Sequence, residues 1–154
     1  MRTVQTNGAT DPCGFTLVEL VVVLVIMGLL AAVAASRFFE RAALDSRGFH
    51  DQVISTLRYA QKAAIAQHRY VCVTIAGSNV ALTHGATGAC GDGALASPSG
   101  DAYSITAPGG ISLSAASFSF NALGQPSFSG APQSIAVSGY AIPIMVEPET
   151  GYVH

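Results

Sequence analysis

The sequence predicts an α+β chain: a long N-terminal helix packed on an antiparallel β-sheet head. Three observations predict it. An apolar run covers Phe15 to Ala35 with only Thr16 and Glu19 polar. Apolar side chains at Phe49, Val53, Leu57, Ala60 and Ala64 then repeat at helical spacing. From Tyr70 onward the chain breaks into short runs rich in Val, Ile, Thr and aromatics, separated by Gly, Pro, Ser and Asn.

The apolar run comes first. Its 21 residues would extend about 31 Å as a helix, against a bilayer core of roughly 30 Å. Fourteen mostly polar residues precede it, and Arg37, Glu40, Arg41 and Asp45 follow closely. One membrane-spanning helix is the direct reading. A cleaved secretory signal fits less well, because its apolar core runs to 7–15 residues, although Ala31 to Ala35 could imitate a cleavage site. A plain signal anchor leaves Glu19 unexplained. A carboxylate in such a segment costs up to about 3 kcal/mol at mid-membrane and less near the interface. Glu19 is therefore either solvated at the interface or functional. Gly28 is the weakest helical position in the run, or a point of close helix packing.

The second half of the helix carries the apolar stripe, with Arg58 and Lys62 on another side. No proline or glycine falls between Ser36 and Arg47. The pattern predicts one helix from about Phe15 to His68, with a bend near Gly48. The β region contains the runs VCVTIAG, NVALTH, AYSIT, ISLS, FSFN, PSFS, SIAVSG, AIPIMVE and GYVH. Gly85 to Gly100, rich in Gly, Ala and Ser, reads as a surface loop.

Charge narrows the function. The chain has 7 basic and 9 acidic residues, and only 10% of it is charged. Every Lys and Arg lies at or before Arg69; beyond it stand only Asp92, Asp101, Glu147 and Glu149. The head thus lacks the basic footprint that phosphate backbones require. No HExxH, GxSxG, GxGxxG, P-loop or EF-hand spacing occurs. His50, His68, His84 and His154 are scattered and read as surface residues. The residues therefore point away from an enzyme, with no catalytic, cofactor or metal site and no small-molecule substrate expected.

Gly14-Phe15-Thr16-Leu17-Val18-Glu19-Leu20, followed by the apolar run, resembles the class III signal of type IV pilins and type II secretion pseudopilins. The resemblance implies cleavage by a prepilin peptidase after Gly14 and N-methylation of Phe15. It implies that Glu19 pairs with the N-terminal amine of a neighbouring subunit. Such a pair attracts strongly in a poorly screened helix core, each charge relieving the other's desolvation. The chain departs from family leaders in having one basic residue, Arg2, and an acidic Asp11 near the cut. Ser36 stands where many pilins carry proline.

On this resemblance the chain divides into a leader at 1–14, a transmembrane helix segment at 15–35, a periplasmic part of the long helix at 36–69 and a β-rich head at 70–154. The stretch from Gly14 to Ile75 is most similar to minor subunits: the H-type pseudopilin, FimT-like pilins and the MshC-like minor pilin of mannose-sensitive haemagglutinin pili. The implied function is a minor pilin that primes or joins a filament. The implied partners are major and minor pilins, prepilin peptidase, the pilus assembly platform and the inner membrane. The alternatives are a type II secretion pseudopilin and a FimT-like DNA-uptake pilin. The last uses arginines near the chain end, where this sequence has Tyr152 and His154, so no strong nucleic-acid binding is expected. Tyr152 reads as a packing residue of an edge strand. Tyr103, Tyr140 and Tyr152, if exposed, could form a sugar-binding surface.

Cys13 would leave with the leader. Cys72 and Cys90 remain, and an even pair in an oxidising compartment reads as a disulfide. A thiol nucleophile is the other reading of these residues.

Overall fold

The computed structural model describes residues 15–154. It contains one helix, α1 (Leu17–Gln67), and seven strands, β1 (Tyr70–Ala76), β2 (Asn79–Gly85), β3 (Gly93–Ala94), β4 (Ser104–Thr106), β5 (Ala116–Phe120), β6 (Gln133–Ile135) and β7 (Ile144–Val146). The order is α+β, a long N-terminal helix followed by antiparallel strands, as in pilins. The chain forms two compact units, Met1–Phe39 and Glu40–His154.

In the first unit, Leu17–Ala34 has a mean hydropathy of 2.9 and none of its residues is buried. Among the described residues it is the one helical stretch long and apolar enough to cross a membrane. Leu, Val and Ile dominate it, and their large side chains stand exposed.

In the second unit, the helical stripe becomes the core. Phe49, Val53, Leu57, Ala60 and Ala64 are all buried, at 2% exposure or less. They pack with Val71, Val73 and Ile75 of β1, Val80 and Leu82 of β2, and Phe118 and Phe120 of β5. Alternation along β1 puts these valines and Ile75 on the helix side. Burying each such side chain contributes about 1.5–3 kcal/mol. Helical hydrogen bonding continues across Gly48 without interruption. The helix ends at Gln67, one residue earlier than expected. His68 adopts a left-handed conformation (φ 49°). The His68 and Arg69 amides bond back to the Ile65 and Ala64 carbonyls at 3.4 and 3.2 Å. This is a Schellman end with histidine in the place that glycine usually fills.

The main sheet runs β3-β2-β1-β5, with β4 also on β2. β1 and β2 form a hairpin in the register Ala76↔Asn79 to Tyr70↔Gly85. Its two-residue turn starts at Gly77, whose φ of 60° suits a tight hairpin and disfavours any other residue. β5 takes the other edge of β1. β3 and β4 share the outer edge of β2, β3 opposite Thr83 and His84 and β4 opposite Asn79 to Ala81. A second sheet pairs β6 with β7, and Val153 bridges to Val146 on the far side of β7.

Several short runs that read as strands are less regular. ISLS, PSFS and GYVH contribute only isolated bridges, at Leu113, Pro126 and Val153. Only a few backbone bonds tie each to the segment it bridges, short of a regular strand. The Gly85–Gly100 stretch is not merely a surface loop. It carries β3, and Leu95 is buried to 1% between β3 and β4, with its amide on Leu82 O at 2.9 Å. One apolar side chain among small residues gives no periodic signal, which is why the sequence hides it.

Candidate assembly site at the helix N-terminus

The first described residues build the start of α1. Thr16 precedes the helix, and its Oγ1 accepts the Glu19 amide at 3.2 Å. The Leu20 amide makes the first helical bond to Thr16 O at 3.2 Å. Thr16 is thus the N-cap and Glu19 the third helical residue. A Thr-x-x-Glu spacing is the capping-box pattern, a signal that the sequence reading passed over. A carboxylate in the first turn also complements the partial positive charge of the helix end. Thr16 therefore fixes where the helix starts. Glu19 stands exposed in the first turn with no cation within ion-pair distance among the described residues. Phe15 is 78% exposed immediately before the cap. Gly14 and Cys13 lie outside the described residues, as does the proposed scissile bond.

An exposed carboxylate at the head of an apolar helix can be solvated at a membrane interface or accept a cation brought by another molecule.

Residues 12–35 match the prokaryotic N-terminal methylation motif. The match covers Gly14, Phe15, Glu19 and most of the apolar helix. It supports the type IV pilin and pseudopilin family and a precursor of the kind that prepilin peptidase processes. This prepilin-type signal, continuous with an unburied apolar helix, is consistent with membrane anchoring. No curated protein and no solved structure matches the chain.

The other expected site residues fall in the head, far along the sequence from this signal. Cys72 on β1 and Cys90 are joined, with sulfurs 2.12 Å apart and Cα atoms 5.9 Å apart. The bond ties the first strand to the turn before β3 across 18 residues. A crosslink of that span contributes about 3 kcal/mol by restricting the unfolded chain. Cys72→Ser is therefore expected to lower the head's unfolding free energy by about 3 kcal/mol under oxidising conditions. Equilibrium denaturation with and without reductant reads this; identical stability in both variants and conditions would show that the crosslink carries no structural weight.

His68 and His154 are exposed as expected, but His50 and the tyrosines depart from expectation. Tyr103 is half-buried, stacked on Tyr59 at 4.9 Å, its hydroxyl 3.4 Å from Thr56 Oγ1. Tyr140 is half-buried against the His50 ring at 4.4 Å. His50 is buried, not on the surface, and its Nδ1 lies 3.1 Å from Asp51 Oδ1. Its place on α1, one residue after the core residue Phe49, puts it under the loop that carries Tyr140. Tyr152, expected to pack, is 57% exposed, because its neighbour Val153 takes the inward position. No group of three or more His, Cys, Asp or Glu side chains able to hold a metal occurs among the described residues. A cleft along α1, about 500 Å³, is lined by Asp51, Ile54, Ser55, Arg58, Tyr59 and Lys62. Its charges come from one helix face and bring no nucleophile beside a base.

Proposed function

We propose that the chain is a minor pilin of a type IV pilus, similar to the MshC-like subunits, cut after Gly14 and methylated at Phe15. The observation that carries this reading is the prepilin-type signal running directly into an apolar helix that bears the exposed Glu19. Before assembly the helix holds the protein in the inner membrane with the head in the periplasm. On assembly the helix passes from lipid to a bundle of similar helices. Apolar burial changes little in that step, so packing and the Glu19 pair decide register. Glu19 accepts the N-terminal amine of a neighbouring subunit. The role is structural: the subunit primes or joins a filament of pilins drawn from the membrane by the assembly platform.

The DNA-uptake reading is disfavoured by the absence of Lys and Arg beyond Arg69, since phosphate contacts supply most non-specific affinity. A type II secretion pseudopilin shares the same signal and helix; incorporation by a pilus platform and not by a secretion platform separates the two.

The test is the intact mass of the chain made with and without prepilin peptidase. An N-methylated Phe15 terminus, dependent on the peptidase, is expected. An uncut Met1, or a cut near Ala35, would remove the filament reading. Glu19→Ala is expected to be cleaved normally yet enter filaments poorly. Removing one partner of a buried charge pair costs about 3–5 kcal/mol, enough to make incorporation rare. Filaments carrying the variant at the wild-type level would sink the charge-pair register.

A further inference from the structure

The second sheet has an outer face that the core does not use. Along β7 burial alternates, with Ile144 and Val146 inward and Met145 outward. The returning segment behaves alike: Gly151 and Val153 are buried, Tyr152 and His154 exposed. Backbone bonds set the rows. Met145 and His154 exchange amide-to-carbonyl bonds of 2.7 and 3.0 Å, and the Glu147 amide bonds to Tyr152 O at 2.9 Å. Ser134 of β6 stands opposite Met145. One outward face therefore presents Ser134, Met145, Glu147, Tyr152 and His154.

These side chains are arranged among themselves. The Tyr152 and His154 rings lie nearly parallel, 18° apart in tilt, with centroids at 5.3 Å. His154 Nε2 is 3.1 Å from Glu147 Oε1. The imidazole is thus fixed between a ring and a carboxylate, and Glu147 Oε2 is left as an acceptor. The backbone beneath is held. Val153 is 1% exposed, and the Arg58 guanidinium donates to its carbonyl at 2.8 and 3.2 Å. Gln61 donates to Thr150 O at 2.8 Å. The face is pre-organised, so a ligand would spend little binding energy on ordering it.

We propose that this outer face, with Tyr152 and His154 stacked beside the Glu147 carboxylate, binds a neutral saccharide. A pyranose ring presents an apolar C–H face and an equatorial rim of hydroxyls. The exposed Tyr152 ring offers flat apolar area for the first. Glu147, with the Ser134 hydroxyl at the other side of the face, offers acceptors for the second. The charge selects against the other ligand that stacks on aromatics. Single-stranded nucleic acid needs cations along its backbone; this part of the chain supplies Glu147 and Glu149, and the Arg58 guanidinium beside it is engaged by the Val153 carbonyl. The inference does not rest on the pilin reading; it concerns the head alone.

The full chain in zwitterionic detergent micelles would be titrated with a panel of neutral oligosaccharides that includes chitotriose, N-acetyllactosamine and maltotriose, read by saturation-transfer NMR. Transfer to ring C–H protons of at least one sugar is expected. Tyr152→Ala is expected to weaken that binding by roughly tenfold or more. Tyr152→Phe keeps the ring, so it is expected to bind within about twofold of wild type, which guards against loss through misfolding. Glu147→Gln is expected to weaken binding without changing the melting temperature. No transfer from any sugar, or transfer that Tyr152→Ala leaves intact, would overturn the proposal. So would salt-sensitive binding of an oligonucleotide at this face in place of the sugars.

Discussion

A chain carrying Gly14→Ala is expected to keep its first 14 residues. In the resemblance to prepilins the peptidase cuts after this glycine. A missing Cβ is what lets a backbone come close to a reacting centre. One added methyl group at that place therefore acts on the chemistry and not on the fold. The expected result is a single uncut species by intact mass, unmethylated, and absent from filaments. The head should melt as in wild type, because the substitution precedes α1 (Leu17–Gln67). Normal cleavage of the variant would remove the processing assignment outright.

The second large effect lies at Gly151. Its φ is 68°, a region costing other residues about 1–2 kcal/mol. An added Cβ would collide with the Gly124 carbonyl oxygen and come within 2.7 Å of Gln61 Nε2 and 3.1 Å of Phe120 Cε1. Gln61 Nε2 donates to both Gly124 O at 3.0 Å and Thr150 O at 2.8 Å. Each such bond contributes about 1 kcal/mol net, and forcing extra volume into a packed site costs about 1–3 kcal/mol. Gly151→Ala is expected to destabilise the head by about 4 kcal/mol, since these terms overlap. Chemical denaturation of the full chain in micelles measures it. A loss below about 1 kcal/mol would mean that the Gly124 turn moves aside at little cost.

The contrast between what the sequence revealed and what it concealed follows the range of the forces involved. The α1 stripe was legible because Phe49, Val53, Leu57, Ala60 and Ala64 repeat locally and all face one surface. The strands β1 and β2 were legible because Val, Ile and Thr cluster in two short runs on either side of Gly77. The N-terminal signal was legible because a short motif, an apolar run and a lone carboxylate coincide. Leu95, His50 and Tyr140 were not legible. Their burial is decided by segments that arrive from elsewhere: β4 beside Leu95, the Tyr140 loop over His50. The outer face of the second sheet was likewise hidden. Whether Tyr152 or Val153 points outward depends on the pairing of Val146 with Val153, and a one-residue slip reverses it.

The contacts from Arg58 to Val153 and from Gln61 to Thr150 span 95 and 89 residues. They have a consequence for the order in which the head is made. Closing such separations costs chain entropy before any contact repays it, and folds that rely on them form slowly. The helix is synthesised first, yet its apolar side waits for strands that emerge much later. While residues 70–154 are still being synthesised, Phe49, Val53 and Leu57 have nothing to pack against. During that interval the nascent head exposes a sticky helix face of the kind that aggregates or recruits chaperones. The head's vulnerable moment is thus the interval before its last residues arrive, and it ends only when the Val153 carbonyl reaches Arg58.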